Sequence, residues 1–164
     1  MLDVATDQRT KNDIIPKPDS NTEVIFESVS RNPYDLSYAC LMIPRFPNHY
    51  LIGDLADDLY DWMKQIFIAF GWRLDYLSVR PNHLEWIIRV APTVSPAYFM
   101  SVIRRQTSQE ILDNFPRIKK ENRSKDFWAL GYLVIVSTSP LPEKMVKDFV
   151  QLTRQHQGIP TDRD

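Results

Sequence analysis

Apolar and polar positions along the chain change period in a way that predicts most of its elements. "TEVIFESV" (22–29) alternates apolar and polar residues, which predicts a short extra strand. "DLSYACLMI" (35–43) is apolar enough to be a central strand, and Pro44, Pro47 and Asn48 then break it. From Leu51 onward the period lengthens. Leu51, Leu55, Leu59, Met63, Ile66 and Phe70 recur at helical spacing, while Asp54, Asp57, Asp58 and Asp61 take the other face. Those acids crowd the first half of the helix, where its dipole favours negative charge, and Gly71 supplies the stop.

Two alternating runs follow, "WRLDYLSV" (72–79) and "HLEWIIRV" (83–90), and Pro81-Asn82 between them predicts an antiparallel hairpin. Ser95 before Pro96 pairs a cap residue with a first-turn proline. The second helix they open runs through "AYFMSVIRRQTSQEILDNF" and offers Phe99, Ile103, Ile111, Leu112 and Phe115 to the core. A basic loop, "RIKKENRSK" (117–125), leads into the strand "FWALGYLVIVST" (127–138). "SPLPEKMVKDFVQLTRQ" (139–155) then closes as a helix with Met145, Val146, Phe149, Val150 and Leu152 as its apolar face. The order β-α-β-β-α-β predicts an α+β protein of the ferredoxin-like split βαβ type. Such a fold is an antiparallel sheet with helices on one face, here followed by a C-terminal helix.

A chain of 164 residues with 43% apolar content fits one domain with a real core. Residues 1–32 read as a polar N-terminal arm carrying Pro16, Pro18 and that short extra strand, and 159–164 as a tail. Net charge is −1 and the pI near 6.3, so composition does not announce a strongly basic nucleic-acid binder. The charge is unevenly placed, however. The run 117–125 holds five cations (Arg117, Lys119, Lys120, Arg123, Lys125) against Glu121 alone, either a solvated loop or a phosphate-contacting patch. The single cysteine, Cys40, excludes an internal disulfide or a multi-cysteine zinc site, and its apolar strand predicts an inert buried thiol. The start of the chain lacks a secretory pattern and no apolar run nears the roughly 18 residues of a membrane span, so a soluble, cytoplasmic protein is expected.

"HLE" (83–85) carries the most suggestive chemistry. On a strand, His83 and Glu85 project from one face, where imidazole and carboxylate together can ligate a divalent cation. Two ligands do not make a site, and His49 and His156 stand in no spacing relation to them. The zinc-deaminase signature also opens with His-x-Glu, but its later Cys-x-x-Cys is impossible with one cysteine. Periodicity alone predicts His83 hydrogen-bonded beside the turn and Glu85 as a charge on the solvent side of its strand.

Five segments in order resemble the single-tyrosine HUH transposases of small bacterial insertion sequences and their REP-associated relatives. They are "YDLSYACLMIPR", "GWRLDYLSVRPNHLEWIIRV", "VIRRQTSQEIL", "FWALGYLVIVST" and "VKDFVQLTRQ", within a domain spanning 33–158. The resemblance implies a ferredoxin-like homodimer that binds hairpins and cuts and joins single-stranded DNA. It implies Mg²⁺ or Mn²⁺ held by His-hydrophobic-His and a glutamine, and a tyrosine nucleophile on the last helix. This chain keeps His83, has Glu85 for the second histidine, Phe149 for the tyrosine and Thr153 for the glutamine. A phenyl ring cannot attack phosphorus, and no tyrosine lies elsewhere in residues 139–160. The expectation is therefore a transposase-like DNA-binding protein without catalysis, its vestigial metal positions being His83, Glu85 and Thr153, and no cofactor unless those still hold Mg²⁺ or Mn²⁺. The DNA contacts implied are Arg104, Arg105, Thr107, Ser108, Arg117, Lys119, Lys120, Arg123 and Lys125, with Trp128 a core residue and Tyr132 a base-stacking candidate. The alternatives are a metal-dependent nuclease using His83 and Glu85, and an interaction module that binds no nucleic acid.

Overall fold

The computed structural model describes residues 23–25 and 34–161. In chain order the elements are β1 (Glu23–Ile25), β2 (Leu36–Met42), α1 (Gly53–Phe70), β3 (Arg73–Arg80), β4 (His83–Val90), α2 (Pro96–Asn114), α3 (Pro116–Glu121), β5 (Leu133–Val136) and α4 (Glu143–His156). The sheet runs β1-β3-β4-β2-β5, and every neighbouring pair is antiparallel. The crossover from β2 through α1 skips over β4 to reach β3, which is the split βαβ arrangement the element order predicts. β1 is the expected extra strand, seen over three residues; the rest of the arm and the last three residues of the tail lie outside the described residues.

Side-chain alternation sorts the sheet into two faces. Tyr38, Cys40, Met42, Leu84, Trp86 and Ile88 pack beneath α1 and α2 with Leu59, Met63, Phe99 and Ile103. Ala39, Leu41, Tyr76 and Ile87 face the other way, against Leu141, Val146 and Phe149 of the α4 segment. Because both faces are covered, β2 and β4 read as almost unbroken apolar runs. The Cys40 thiol is fully buried, and desolvation pushes its pKa well above the ordinary value, as an inert thiol requires.

Local chemistry explains the boundaries. Ser95 accepts the Tyr98 N–H at 3.2 Å and Pro96 occupies the first turn of α2. Gly71 ends α1 at φ 69°, where its amide and that of Trp72 reach back to Ile68 and Phe67. A bulge between Leu74 and Tyr76 inserts Asp75, whose carboxylate receives Arg89 Nε at 3.1 Å. The bulge shifts the phase of β3, so that Leu74 and Leu77 share one face and Tyr76 takes the other.

Three expectations change. The basic segment is a loop only from residue 122: Pro116 starts the short helix α3, which runs to Glu121, and Ile118 packs inward from it. The strand predicted over 127–138 is ordered as β5 only from Leu133, because Phe127 and Trp128 turn into the core. On α4, Met145 and Leu152 face solvent, while Thr153 and Arg154 are buried.

Candidate functional site

His83 and Glu85 follow the strand rule: both point to the α4 side while Leu84 and Trp86 enter the opposite core. They line one cleft with Tyr76, Arg80, Leu141 and Val146. His83 Nδ1 lies 2.7 Å from Asn82 Oδ1, an atom that only accepts, so the proton sits on Nδ1 and Nε2 keeps its lone pair. Burial first, and the Arg80 charge second, hold the His83 pKa down to about 4. The ring is thus neutral near pH 7. Between the ordinary value of 6.5 and about 4 the unfolded chain takes up a proton that the folded chain refuses. Stability is therefore expected to fall as pH drops through that window and to be fully present above it. Thermal melts from pH 7 to pH 4 test this: His83→Gln should flatten that part of the profile, and an unchanged profile would assign it to another group.

Glu85 is not the solvent-side charge that alternation predicts. It is buried, and its Oε1 accepts the Leu141 backbone N–H at 2.8 Å, which ties the segment entering α4 to the sheet. Thr153 does not join it. Its hydroxyl donates to the Phe149 carbonyl at 2.8 Å, and both residues line a second cleft with Arg45, Gly131, Tyr132 and His156. The three positions that the resemblance implies for a metal thus line two different clefts of the chain. Among the described residues no group of three or more His, Cys, Asp or Glu could hold a metal ion. One imidazole nitrogen and one carboxylate already serving a backbone amide do not fit Mg²⁺ or Mn²⁺, which take about six oxygen-rich ligands.

The residues expected to contact DNA divide sharply. Arg104 is consumed internally. Its Nε and Nη2 donate to Asp126 Oδ2 at 3.0 and 2.7 Å, and its other bonds reach the carbonyls of Trp128, Ala129 and Gly131. Thr107 is fully buried, accepting from Trp128 Nε1 at 2.8 Å and donating to the Ile103 carbonyl. Ser108, equally buried, accepts the Phe127 N–H at 3.0 Å and donates to Asp126. These three residues hold the 126–131 segment on α2 and cannot track a phosphate backbone. Arg117 is exposed but paired with Glu121 at 3.0 Å. Arg105, Lys119, Lys120, Arg123 and Lys125 are exposed, and none has a hydrogen bond or ion pair among the described residues.

Arg105 and Lys125 flank a 560 Å³ cleft that also takes in Ala97, Ser101 and Tyr132. Tyr132 is 40% exposed and lines both this cleft and the one holding Phe149, an accessible aromatic residue beside exposed cations. Trp128, by contrast, is fully buried. Pattern reading missed Asp126, the anion that gathers Arg104, Arg45 and Ser108. It also missed Arg154, a buried guanidinium that donates to the Arg45 carbonyl and Gln157 and whose pKa burial lowers. The one hint was an acidic residue set between a cation run and two aromatics.

Residues 32–153 match the family described as Transposase IS200 like. The chain is 20% identical over 102 residues to the ISDra2 transposase TnpA of Deinococcus radiodurans, across 62% of this chain and 73% of that protein. It is 18% identical over 108 residues to the transposase for insertion sequence element IS200 of Salmonella typhimurium, across 66% of this chain and 71% of that one. Among solved structures, a Deinococcus radiodurans protein described as a transposase superposes with a TM-score of 0.63 at 18% identity. The match covers 82% of this chain and 100% of that one, and shows a shared fold.

Proposed function

Because the chain belongs to the IS200-like transposase family, we propose that it binds DNA and does not cut it. The observation that carries this reading is α4, which has Phe149 where the family resemblance puts the tyrosine and contains no tyrosine anywhere in Glu143–His156. With no tyrosine hydroxyl on α4, no phosphotyrosine bond can form on that helix. The state of Glu85 supports the same reading, since its buried carboxylate serves the Leu141 amide. The DNA surface comprises Arg105, Lys119, Lys120, Arg123 and Lys125, with Tyr132 offering a stacking face. Its ligand is a hairpin or single-stranded end of an insertion-sequence type, and its role that of a domesticated binding protein. A second copy completes the assembly; the edge of β5, which among the described residues pairs only with β2, supports that step.

The test uses labelled DNA hairpins from the gene's own flanks, with and without Mn²⁺, run on native and denaturing gels. Wild type should shift the DNA without cleavage or covalent adduct. Phe149→Tyr alone should behave the same way, because the metal positions remain split. Cleavage by the wild type would overturn the reading, and a missing shift would favour an interaction module.

A further inference from the structure

α3 carries Arg117, Lys119 and Lys120, yet none of its six residues is fully buried. Its apolar hold on the body is Ile118, which packs partly buried against the core. Its other hold is polar. Glu121 Oε2 lies 2.7 Å from Nε2 of His49, a residue of the loop between β2 and α1, 72 positions away in sequence. Among the described residues this is the only side-chain hydrogen bond joining α3 to an earlier part of the chain; the Arg117–Glu121 pair lies within the helix.

His49 is built for that contact. Its side chain is 4% exposed, and its ring stacks on Phe127 with centroids 6.0 Å apart and lies 5.1 Å from Phe46. Its amide donates to the Phe46 carbonyl at 3.0 Å, and the next turn of the loop is fixed by Leu51 N–H on the Pro81 carbonyl. Nδ1 is buried without a partner, so a proton placed there would be an unsatisfied buried donor. The proton therefore belongs on Nε2, which donates to Glu121. The ring is buried and packed between aromatics, and the more exposed carboxylate meets it there. Bonds from His49 first and Arg117 second hold the Glu121 pKa below the usual carboxylate range, so the acceptor is ionised at neutral pH.

We propose that His49 is the positioning residue of the cationic surface: its bond to Glu121 latches α3 so that Lys119 and Lys120 face DNA together with Lys125 and Arg105. This deepens the DNA-binding reading and rests on it. Lysine stems are long and costly to order, so a frayed α3 would present the same charges without their placement.

The experiment pairs amide hydrogen exchange across 116–122 with single-stranded DNA affinity measured over a range of salt. His49→Ala is expected to speed exchange in α3 and to reduce the salt slope by about 1.4, at about 0.7 for each of the two lysines. His49→Gln, whose amide N–H can still donate to Glu121, should restore both. Glu121→Ala breaks the latch from the solvent side, leaving the core intact. Simple charge counting predicts tighter binding once that anion is gone, whereas the latch predicts weaker binding. Unchanged exchange in both alanine variants overturns the latch, and so does tighter binding by Glu121→Ala. Faster exchange with an unchanged salt slope shows a latch that does not serve DNA and also overturns the proposal. If wild type binds no DNA at all, the surface reading itself has failed, and the exchange data still show separately whether the latch exists.

Discussion

Asp126→Ala is expected to destabilise the fold by about 3 kcal/mol, the largest loss foreseen for any single polar residue. The carboxylate accepts Arg104 at 2.7 and 3.0 Å through Oδ2, with Arg45 Nη2 at 3.6 Å from the same oxygen. Its Oδ1 accepts the Trp128 N–H at 3.1 Å and the Ser108 hydroxyl at 3.3 Å. Alanine leaves a guanidinium that is 15% exposed without its counter-charge and two donors without an acceptor. Breaking a buried pair costs about 3–5 kcal/mol. Asp126 is 32% exposed and Arg104 keeps its carbonyl partners, which places the loss at the low end. For a domain of this size the melting temperature should drop by roughly 6–12 °C, read by calorimetry. A double-mutant cycle with Arg104→Ala separates the pair from its surroundings. A coupling energy near zero would show that the two side chains meet without depending on each other.

The same network shows where the sequence stops being informative. The stripe Arg104 to Ser108 looks available for DNA when read along α2, because charge and hydroxyls announce polarity and not direction. What decides its role is the 126–131 segment folding back over it, a tertiary contact between residues about 20 positions apart. Glu85 is a stronger case. Strand alternation places its side chain on the correct face, yet that face is covered by a helix entering 56 residues later, and the exposed charge becomes a buried acceptor. Spacing also put His83 and Glu85 together correctly while giving no sign that Thr153 would lie in a different cleft. The elements themselves were far more legible. Period, caps and turn residues suffice for α1, α2 and the β3–β4 hairpin, since each is specified by neighbours within a few residues. The β3 bulge and the helical state of α3 were not, because a single inserted residue and a single anchoring isoleucine leave no periodic trace.

Replacing Arg105, Lys119, Lys120, Arg123 and Lys125 together by glutamine is expected to abolish most of the salt dependence of DNA binding while leaving the melting temperature almost unchanged. The stability half follows from exposure: none of these side chains has a hydrogen bond or ion pair among the described residues, so their removal strands no partner. The binding half follows from counterion release. If all five reach phosphates of a single strand, the logarithm of affinity falls with the logarithm of salt at a slope of about −3.5. Between 50 and 200 mM salt that is roughly a hundredfold loss for wild type, and little for the variant. Arg104→Gln supplies the contrast. That arginine buttresses the 126–131 segment, so its loss should lower the melting temperature and leave the salt slope near the wild-type value. A net charge of −1 hides this surface from composition, since acids such as Asp54, Asp57, Asp58 and Asp61 of α1 offset its cations in the total. Should the quintuple variant keep a slope near −3, the DNA must lie on another face, and the cleft holding Arg45 and His156 becomes the next surface to neutralise.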